Sequence, residues 1–196
     1  MYEILKGGWV MLPLIICSIG AVVVIIERFL FFRRLGDTSL AEEVLNMITN
    51  ERMEEALNMA KQSSLPLLTV MVAGINNPSR PVKAMEAAGI IEISTMRRGL
   101  PVLDTIVTLS PLLGLLGTII GMMNSFQIMA LSGIGQPHAV TGGVAEALIA
   151  TATGIAVAVI ALIPYNYYLS RVEGETETIE YYATRLEMAL ASSGKE

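Results

Sequence analysis

The sequence of residues 139–170 is AVTGGVAEALIATATGIAVAVIALIPYNYYLS, in which Glu146 is the only charged residue. At a rise of about 1.5 Å per residue, a helix of this length can cross a hydrocarbon core of about 30 Å. A carboxylate near the middle of such a helix costs roughly 2.5–3.5 kcal/mol on insertion scales. Residues that carry this cost usually face a protein interior or a water-filled path, and they often handle protons or ions. The stretch therefore predicts a membrane protein with a functional carboxyl.

The composition of the whole chain also indicates membrane spans. Of its 196 residues, 53% are hydrophobic and 16% are charged, and the mean hydropathy is +0.60. Soluble domains carry about 25% charged residues. The net charge of −5 leaves no basic patch, so nucleic-acid binding has no support. The single cysteine, Cys17, cannot form a disulfide within one chain and is interpreted as inert packing.

Two further stretches pass the length test for a membrane span. The first runs from Gly7 to Ile26 without a charge and continues to Phe32. It ends in charged residues rather than in a small-residue cleavage site, so we interpret it as an uncleaved helix and not as a signal peptide. The second runs over residues 105–137 without a charge. A turn-forming segment at 132–138 joins it to the third span, which predicts a transmembrane hairpin.

The basic residues predict how the spans are oriented, because Lys and Arg are enriched on the cytoplasmic side. They lie at the same ends of the three spans: Arg28, Arg33, Arg34, Arg97, Arg98 and Arg171. The 132–138 turn contains neither Lys nor Arg. We therefore expect an outer N-terminus (1–8), a first transmembrane helix (9–32), a cytoplasmic helical region (33–104), a second transmembrane helix (105–131), an outer turn (132–138), a third transmembrane helix (139–169) and a cytoplasmic helical tail (170–196).

The cytoplasmic region is expected to form short helices. Ser39 with Glu42 three residues later resembles a capping box before an apolar helical pattern. Asn50 is expected to cap a second short helix, and Pro66 suits the first turn of a third.

A longer helix is expected to lead into the second span. The helical pattern resumes at about Val82, and Pro101 and Pro111 are expected to kink this helix rather than end it. The tail after Arg171 is expected to extend the third span as a helix. Since no strand pattern is present, the predicted fold class is an all-α integral membrane protein.

The second span carries a stripe of small residues. The stripe consists of Ser110, Gly114, Gly117, Gly121 and Ser125, and their spacing of 4, 3, 4 and 4 puts all of them on one helical face. Small residues let the backbones of two membrane helices approach closely. In the third span Gly154 lies beside the face of Glu146 and suits the same kind of contact. Such stripes are more often packing surfaces than functional sites.

Glu146 gives this helix pair a second interpretation. One hairpin cannot enclose a water-filled path, whereas several copies around an axis can, and Glu146, Thr118 and Thr151 are then expected to line it. Desolvation favours the neutral form of a carboxyl, so Glu146 is expected to take up and release a proton. Threonine hydroxyls can hold water or pass a hydrogen bond. A second proton-carrying acid, if one is needed, must come from another chain.

The residues just described resemble a known family. The segment LSPLLGLLGTIIGMM at 109–123 is similar to the second-span signature of the MotA/TolQ/ExbB proton channel family. The segment VAEALIATATG at 144–154 is similar to its third-span signature, and Pro164-Tyr165-Asn166 matches the usual end of that span. The resemblance extends over nearly the whole chain and favours the ExbB/TolQ branch, ExbB-like above TolQ-like.

The resemblance implies a subunit of a proton-driven motor in the bacterial inner membrane, with a periplasmic N-terminus and a cytoplasmic C-terminus. It implies a homopentamer around a central pore that holds two copies of a single-span ExbD/TolR-like protein, which carries the membrane aspartate. A TonB/TolA-like protein is a further implied partner, and membrane lipids surround the spans. Glu146 matches the pore glutamate of the family, and Thr118 and Thr151 match its pore threonines. Protons are the implied coupling ion, with no cofactor and no metal.

Several alternatives stay open at this point. A TolQ-like subunit would serve envelope maintenance rather than TonB-linked uptake. A non-conducting pentameric scaffold would use Glu146 only to pair helices. A transporter acting alone is weaker, because transporters usually show more spans and inverted repeats. An enzyme has the least support, since no nucleophile–base pair, metal-ligand cluster or phosphate loop is present in the sequence. Sodium in place of protons also remains open.

Overall fold

A computed structural model describes residues 8–33, 35, 38–132 and 137–193. All regular structure in these residues is α-helical, which confirms the all-α prediction for this part of the chain. The helices are α1 (Met11–Phe32), α2 (Ser39–Thr49), α3 (Met53–Lys61), α4 (Pro66–Ile75), α5 (Pro81–Arg97), α6 (Leu100–Ser132) and α7 (Pro137–Ser193).

Three helical stretches are long and apolar enough to cross a membrane, as the sequence predicts. They are Met11–Phe32 and one segment each within Pro81–Ala130 and Thr141–Ala191. Of the predicted turn at 132–138, residues 133–136 lie outside the described part of the chain, whereas Pro137 already belongs to α7. α7 then continues without interruption to Ser193, so the predicted helical extension beyond Arg171 is present.

The chain divides into two compact units. One consists of Met1–Phe29 and Gly99–Tyr168, and we call it the three-helix unit because it holds α6 and parts of α1 and α7. The other consists of Leu30–Arg98 and Leu169–Glu196, and we call it the short-helix unit because it holds α2 to α5 with the end of α7.

In the three-helix unit, α1 runs antiparallel to α6. A Cβ atom added at Gly117 would lie 3.7 Å from Val10, and one added at Gly20 would lie 3.7 Å from Ile106. Positions early in α1 therefore lie beside positions late in α6, and later positions in α1 lie beside earlier ones in α6. The space between the helices is filled by apolar side chains and small residues.

In the same unit, α1 runs parallel to α7. Met11 and Leu14 form a buried cluster with Ala150 near the start of both helices. Towards the other end, the hydroxyl of Tyr168 donates a hydrogen bond of 2.9 Å to the backbone oxygen of Ile25. These directions are those of a helix hairpin, α6 and α7, with α1 packed against it.

The short-helix unit has a core of large apolar side chains. Val44, Ile48, Leu68, Met71 and Leu186 are all less than 2% exposed. α4 packs closely on α5 and on the end of α7, since a Cβ atom added at Gly74 would lie 2.8 Å from the Cγ of Met85 and 3.3 Å from the Cδ2 of Leu186. Large apolar side chains of this kind are among those most often fully buried in folded proteins.

The capping box predicted at Ser39 is wrong. Thr38 is the N-cap residue of α2, its side chain makes no capping hydrogen bond, and Ser39 is already the first helical residue. The carboxylate of Glu42 accepts a hydrogen bond of 2.9 Å from the Tyr182 hydroxyl and forms an ion pair with Arg185. The side chain thus binds partners from α7 rather than the start of its own helix.

The cap predicted at Asn50 is also wrong. Asn50 is the C-cap of α2, where its side-chain amide donates a 2.7 Å hydrogen bond to the backbone oxygen of Asn46. α3 begins three residues later, and its N-cap is Arg52. The start predicted for the third short helix is confirmed, because α4 begins at Pro66.

The helix predicted to run unbroken from Val82 into the second span is interrupted. α5 ends at Arg97, and α6 begins at Leu100. Gly99 lies between them with φ +82, in the left-handed region where glycine has no Cβ penalty. Pro101 is the second residue of α6, where a missing N–H leaves no hydrogen bond unmade. Pro111 lies inside α6 without ending it, as expected.

Candidate functional site

The small residues of α6 form one buried face. Ser110 and Ser125 have no exposed surface, and Gly114, Gly117 and Gly121 between them are buried as well. The Ser125 hydroxyl donates a 2.9 Å hydrogen bond to the backbone oxygen of Gly121. The Ser110 oxygen has no hydrogen-bond partner among the described residues.

This face of α6 lies directly against α7. A Cβ atom added at Gly154 would lie 2.5 Å from the backbone oxygen of Ser110 and 3.0 Å from the Cα of Gly114. One added at Gly121 would lie 2.9 Å from the Cβ of Ala147. At these positions nothing larger than a methyl group therefore separates the two backbones, which is how small residues pack membrane helices. Any larger side chain at these positions would push the helices apart.

Thr151 extends this contact with a hydrogen bond. Its hydroxyl donates to the backbone oxygen of Gly114 at 3.0 Å, from one helix to the other. The hydroxyl of Thr118 stays within its own helix and donates to the backbone oxygen of Leu115 at 2.7 Å. The two threonines are both partly exposed, and each has its own hydrogen-bond acceptor.

Glu146 is half-buried near the beginning of α7. Its carboxylate lies against Gly8, where a Cβ atom would overlap Oε1 and lie 3.5 Å from the carboxyl carbon. Gly8 itself has φ +76, and its backbone oxygen accepts a 3.0 Å hydrogen bond from the N–H of Met11 in the first turn of α1. The carboxylate is thus packed against the backbone that leads into α1.

Within the predicted bounds of 139–169, Glu146 lies off centre and not near the middle of the span. Gly154 is the midpoint of residues 139–169, and Glu146 precedes it by eight residues, or about 12 Å along the helix. Seven uncharged residues of the 139–170 stretch come before Glu146 and 24 come after it. A carboxyl near one end of a span is less costly than one at the centre.

The three residues predicted to line a path have different surroundings within one chain. Glu146 contacts the segment before α1, Thr151 contacts α6, and Thr118 bonds to its own helix. Glu146 and Thr151 are five residues apart on α7, which separates their directions by about 140° around the helix axis. The contacts that these three side chains make within one chain therefore do not join them to one another.

The opposite end of the three-helix unit carries buried charge. Arg28 is 2% exposed, and its Nε donates a 2.9 Å hydrogen bond to Oε2 of Glu27. A second guanidinium nitrogen binds the other carboxylate oxygen, so the ion pair is bidentate. In the sequence, Arg28 indicates only the orientation of the first span, and the ion pair is not predicted.

The part that α1 takes in the site is not predicted from the sequence. The first span is predicted only as an uncleaved helix, whereas the structure places four residues at or near its start beside the α6–α7 pair: Gly8, Val10, Met11 and Leu14. The available signal was weak: Gly8 is the second residue of the apolar run that begins at Gly7, and no motif surrounds it. Among the described residues, no three His, Cys, Asp or Glu side chains come together as they would around a metal ion.

The short-helix unit contains a groove between α5 and the end of α7. Its volume is about 560 Å³, and its floor includes Met85, Ile93 and Ile179. Glu86 and Glu180 are among the residues at its edge. Ile90, which lines the groove, and its neighbour Ile91 expose 70% and 65% of their surface, and adjacent exposed apolar side chains of this size often mark an interaction surface.

Comparison with known proteins places this arrangement in one family. The MotA/TolQ/ExbB proton channel family matches residues 33–181. The biopolymer transport protein ExbB-like 1 of Synechocystis is 34% identical over 190 residues, covering 92% of this chain and 74% of that protein. An ExbB homologue of Methanothermobacter thermautotrophicus is 32% identical over 91% of this chain and 66% of its own length. The Tol-Pal system protein TolQ of Haemophilus influenzae is 41% identical over 49% of this chain and 45% of its own length.

Proposed function

Because the chain belongs to the MotA/TolQ/ExbB proton channel family, we propose that it is the proton-channel, or stator, subunit of an inner-membrane motor. The motor couples the proton motive force to work on the cell envelope, such as energising TonB-dependent outer-membrane uptake. The chain works with a single-span ExbD/TolR-like partner, of which two copies lie in the pore of a homopentamer. A TonB/TolA-like protein receives the work.

The observation that carries this proposal is Glu146. It is the only charged residue of the 139–170 stretch, and it lies on a helix that is packed backbone to backbone on α6. A carboxyl kept in an apolar span at an energetic cost marks a path for protons or ions. With Thr118 and Thr151 it supplies the carboxyl and hydroxyl groups that a proton path needs.

Exposed apolar surface supports assembly of this chain with other chains. The α6 side chains of Leu112 and Met123 and the α7 side chain of Ile163 are each more than half exposed in one chain, and neighbouring spans or lipid would cover them. Ile90 and Ile91 expose a comparable apolar surface in the short-helix unit. The proposed topology puts these residues outside the lipid, where contact with water is unfavourable for them. A neighbouring copy that covers these isoleucines is the simplest way to bury them.

The ExbB-like role is favoured above the TolQ-like one by the extent of the matches. Two of the ExbB-like relatives align with more than nine-tenths of this chain, whereas the TolQ relative of Haemophilus influenzae aligns with about half of it at higher identity. We propose that the N-terminus (1–8) and the 132–138 turn lie on the periplasmic side of the membrane. Residues 33–104 and 170–196 are then cytoplasmic.

Proton flux through the reconstituted complex tests the proposal. The chain is purified with its own partner and placed in liposomes that contain a pH-sensitive dye, and its mass is measured by native mass spectrometry. We expect five copies of the 21.1 kDa chain with two copies of a small partner. Glu146→Gln is expected to reduce flux to that of empty liposomes while leaving this mass unchanged.

The matched control is Glu177→Gln, which makes the same chemical change at an exposed position of α7. It is expected to conduct as the wild type does. If the wild-type complex gives no more flux than empty liposomes, and Glu146→Gln assembles and still drives uptake, the scaffold interpretation replaces the channel. Normal flux in Glu146→Gln would show that the proton path does not depend on this carboxyl. If flux follows a sodium gradient and not a proton gradient, the coupling ion is sodium.

A further inference from the structure

Gly8 lies at a position where any other residue would meet two separate obstacles. Its φ of +76 is in the left-handed region, which residues with a Cβ adopt only at a cost. A Cβ atom here would also overlap Oε1 of Glu146. Backbone conformation and space therefore both require glycine at this position, and the second requirement involves the functional carboxyl itself.

The contact also fixes one wall of the carboxyl's surroundings. Gly8 is held by the hydrogen bond from Met11 N–H to its oxygen, so it is attached to the first turn of α1. One turn further along α7, Ala150 packs with Met11 and Leu14 and so fixes the same turn of α1 against α7. The backbone at Gly8 is thus held from two directions, and the carboxylate of Glu146 rests on it.

We propose that Gly8 is a positioning residue for Glu146. The missing side chain at Gly8 lets the carboxylate lie against the backbone before α1, and this contact decides which way the carboxylate points. A side chain at position 8 would leave the Glu146 carboxylate in the protein but move it away from the proton path. The effect on flux rests on the proposed function, whereas the contact itself does not.

Two substitutions separate the overlap from the backbone strain. Gly8→Ala introduces both, whereas Gly8→Asn keeps the Cβ but reduces the strain, because asparagine tolerates positive φ. We expect both variants to lose flux by up to about 100-fold, since a misplacement of about 1 Å can cost this much. Gly142→Ala is the control, because a Cβ atom there has no neighbour within 4 Å. Normal flux in Gly8→Asn would overturn the proposal.

An infrared measurement reads the carboxyl directly and does not depend on conduction. The carboxyl stretching band of Glu146 is identified as the one that disappears in Glu146→Gln. It is expected to shift in Gly8→Ala and Gly8→Asn and to stay in place in Gly142→Ala. An unshifted band in the Gly8 variants would overturn the proposal even if flux fell. A shifted band together with normal flux in Glu146→Gln would refute the proposed role of Glu146 in conduction but leave the contact standing.

A third measurement needs no variant, in case the Gly8 variants do not assemble. The wild-type complex with ¹³C at glycine and glutamate is examined by solid-state NMR. A cross-peak between the Gly8 Cα and the Glu146 carboxyl carbon is expected from their contact. Its absence from the assembled complex would overturn the proposal.

Discussion

The α6–α7 contact and the core of the short-helix unit are built from opposite kinds of residues. At the first, glycine, alanine and serine bring two backbones together, as where Gly154 lies against Ser110. At the second, large side chains such as Leu186 and Met71 fill the space between helices. In water, burying apolar area stabilises by about 25 cal/mol per Å². In lipid this term is absent between helices, and close backbone approach takes its place.

The comparison predicts that the short-helix unit is most sensitive to the loss of side-chain volume. Leu186→Ala removes a fully buried side chain that packs on Gly74, and it is expected to destabilise the unit by about 2–5 kcal/mol. Hydrogen exchange of the α4 amides in the purified full chain measures this loss. Met188→Ala, at a position 60% exposed on the same helix, is the control and is expected to change stability by at most about 0.5 kcal/mol. Equal protection in both variants would contradict the description of this core.

The α6–α7 contact is expected to be sensitive to added volume instead. Gly154→Ala puts a methyl group against the α6 backbone and is expected to destabilise the three-helix unit by about 1–3 kcal/mol. Gly174→Ala makes the same change on the same helix where nothing lies within 4 Å, and it is expected to stabilise by about 0.5–1 kcal/mol through helix propensity. Thermal unfolding in detergent measures whether each substitution raises or lowers the melting temperature. If both raise it, the α6 and α7 backbones are further apart than described.

The smallest expected effect concerns the surface of the short-helix unit. The hydrogen bond from Arg185, followed by that from Tyr182, lowers the pKa of Glu42 below its usual value near 4.5. A lowered pKa stabilises the folded state above pH 4.5, and this contribution is lost as the pH falls through the folded pKa. Glu42→Gln should therefore lower the melting temperature slightly at pH 7, with a smaller difference at pH 3. Its exposed neighbour gives the control, Glu43→Gln, which makes the same chemical change without removing the hydrogen bonds from Arg185 and Tyr182.

Much of the fold follows from patterns that the sequence displays openly. The three spans depend on long apolar runs, and the start of α4 depends on Pro66, whose fixed φ suits a first helical turn. The face shared by Ser110 and Gly114 follows from helical spacing alone. These features are local, so one stretch of sequence is enough to predict each of them.

Other features depend on partners far along the chain and could not be predicted in this way. Glu42 has the spacing of a capping box, but its carboxylate binds residues 140 or more positions away. Gly99 interrupts a helix because the chain takes a left-handed conformation there, which no neighbouring residue signals. Gly8 gains its importance only from Glu146, which packs on it from another helix.

The contact between Gly154 and the α6 backbone has a consequence for how this protein can vary. Every single-nucleotide missense change of a glycine codon introduces at least a Cβ atom. At Gly154 even the smallest such atom would lie 2.5 Å from a backbone oxygen that cannot move aside as a flexible side chain could. No single substitution at position 154 is therefore neutral, whereas Gly142 and Gly174 have space for the methyl group of alanine. In a saturation library selected for assembly, codon 154 should remain glycine while codons 142 and 174 diversify.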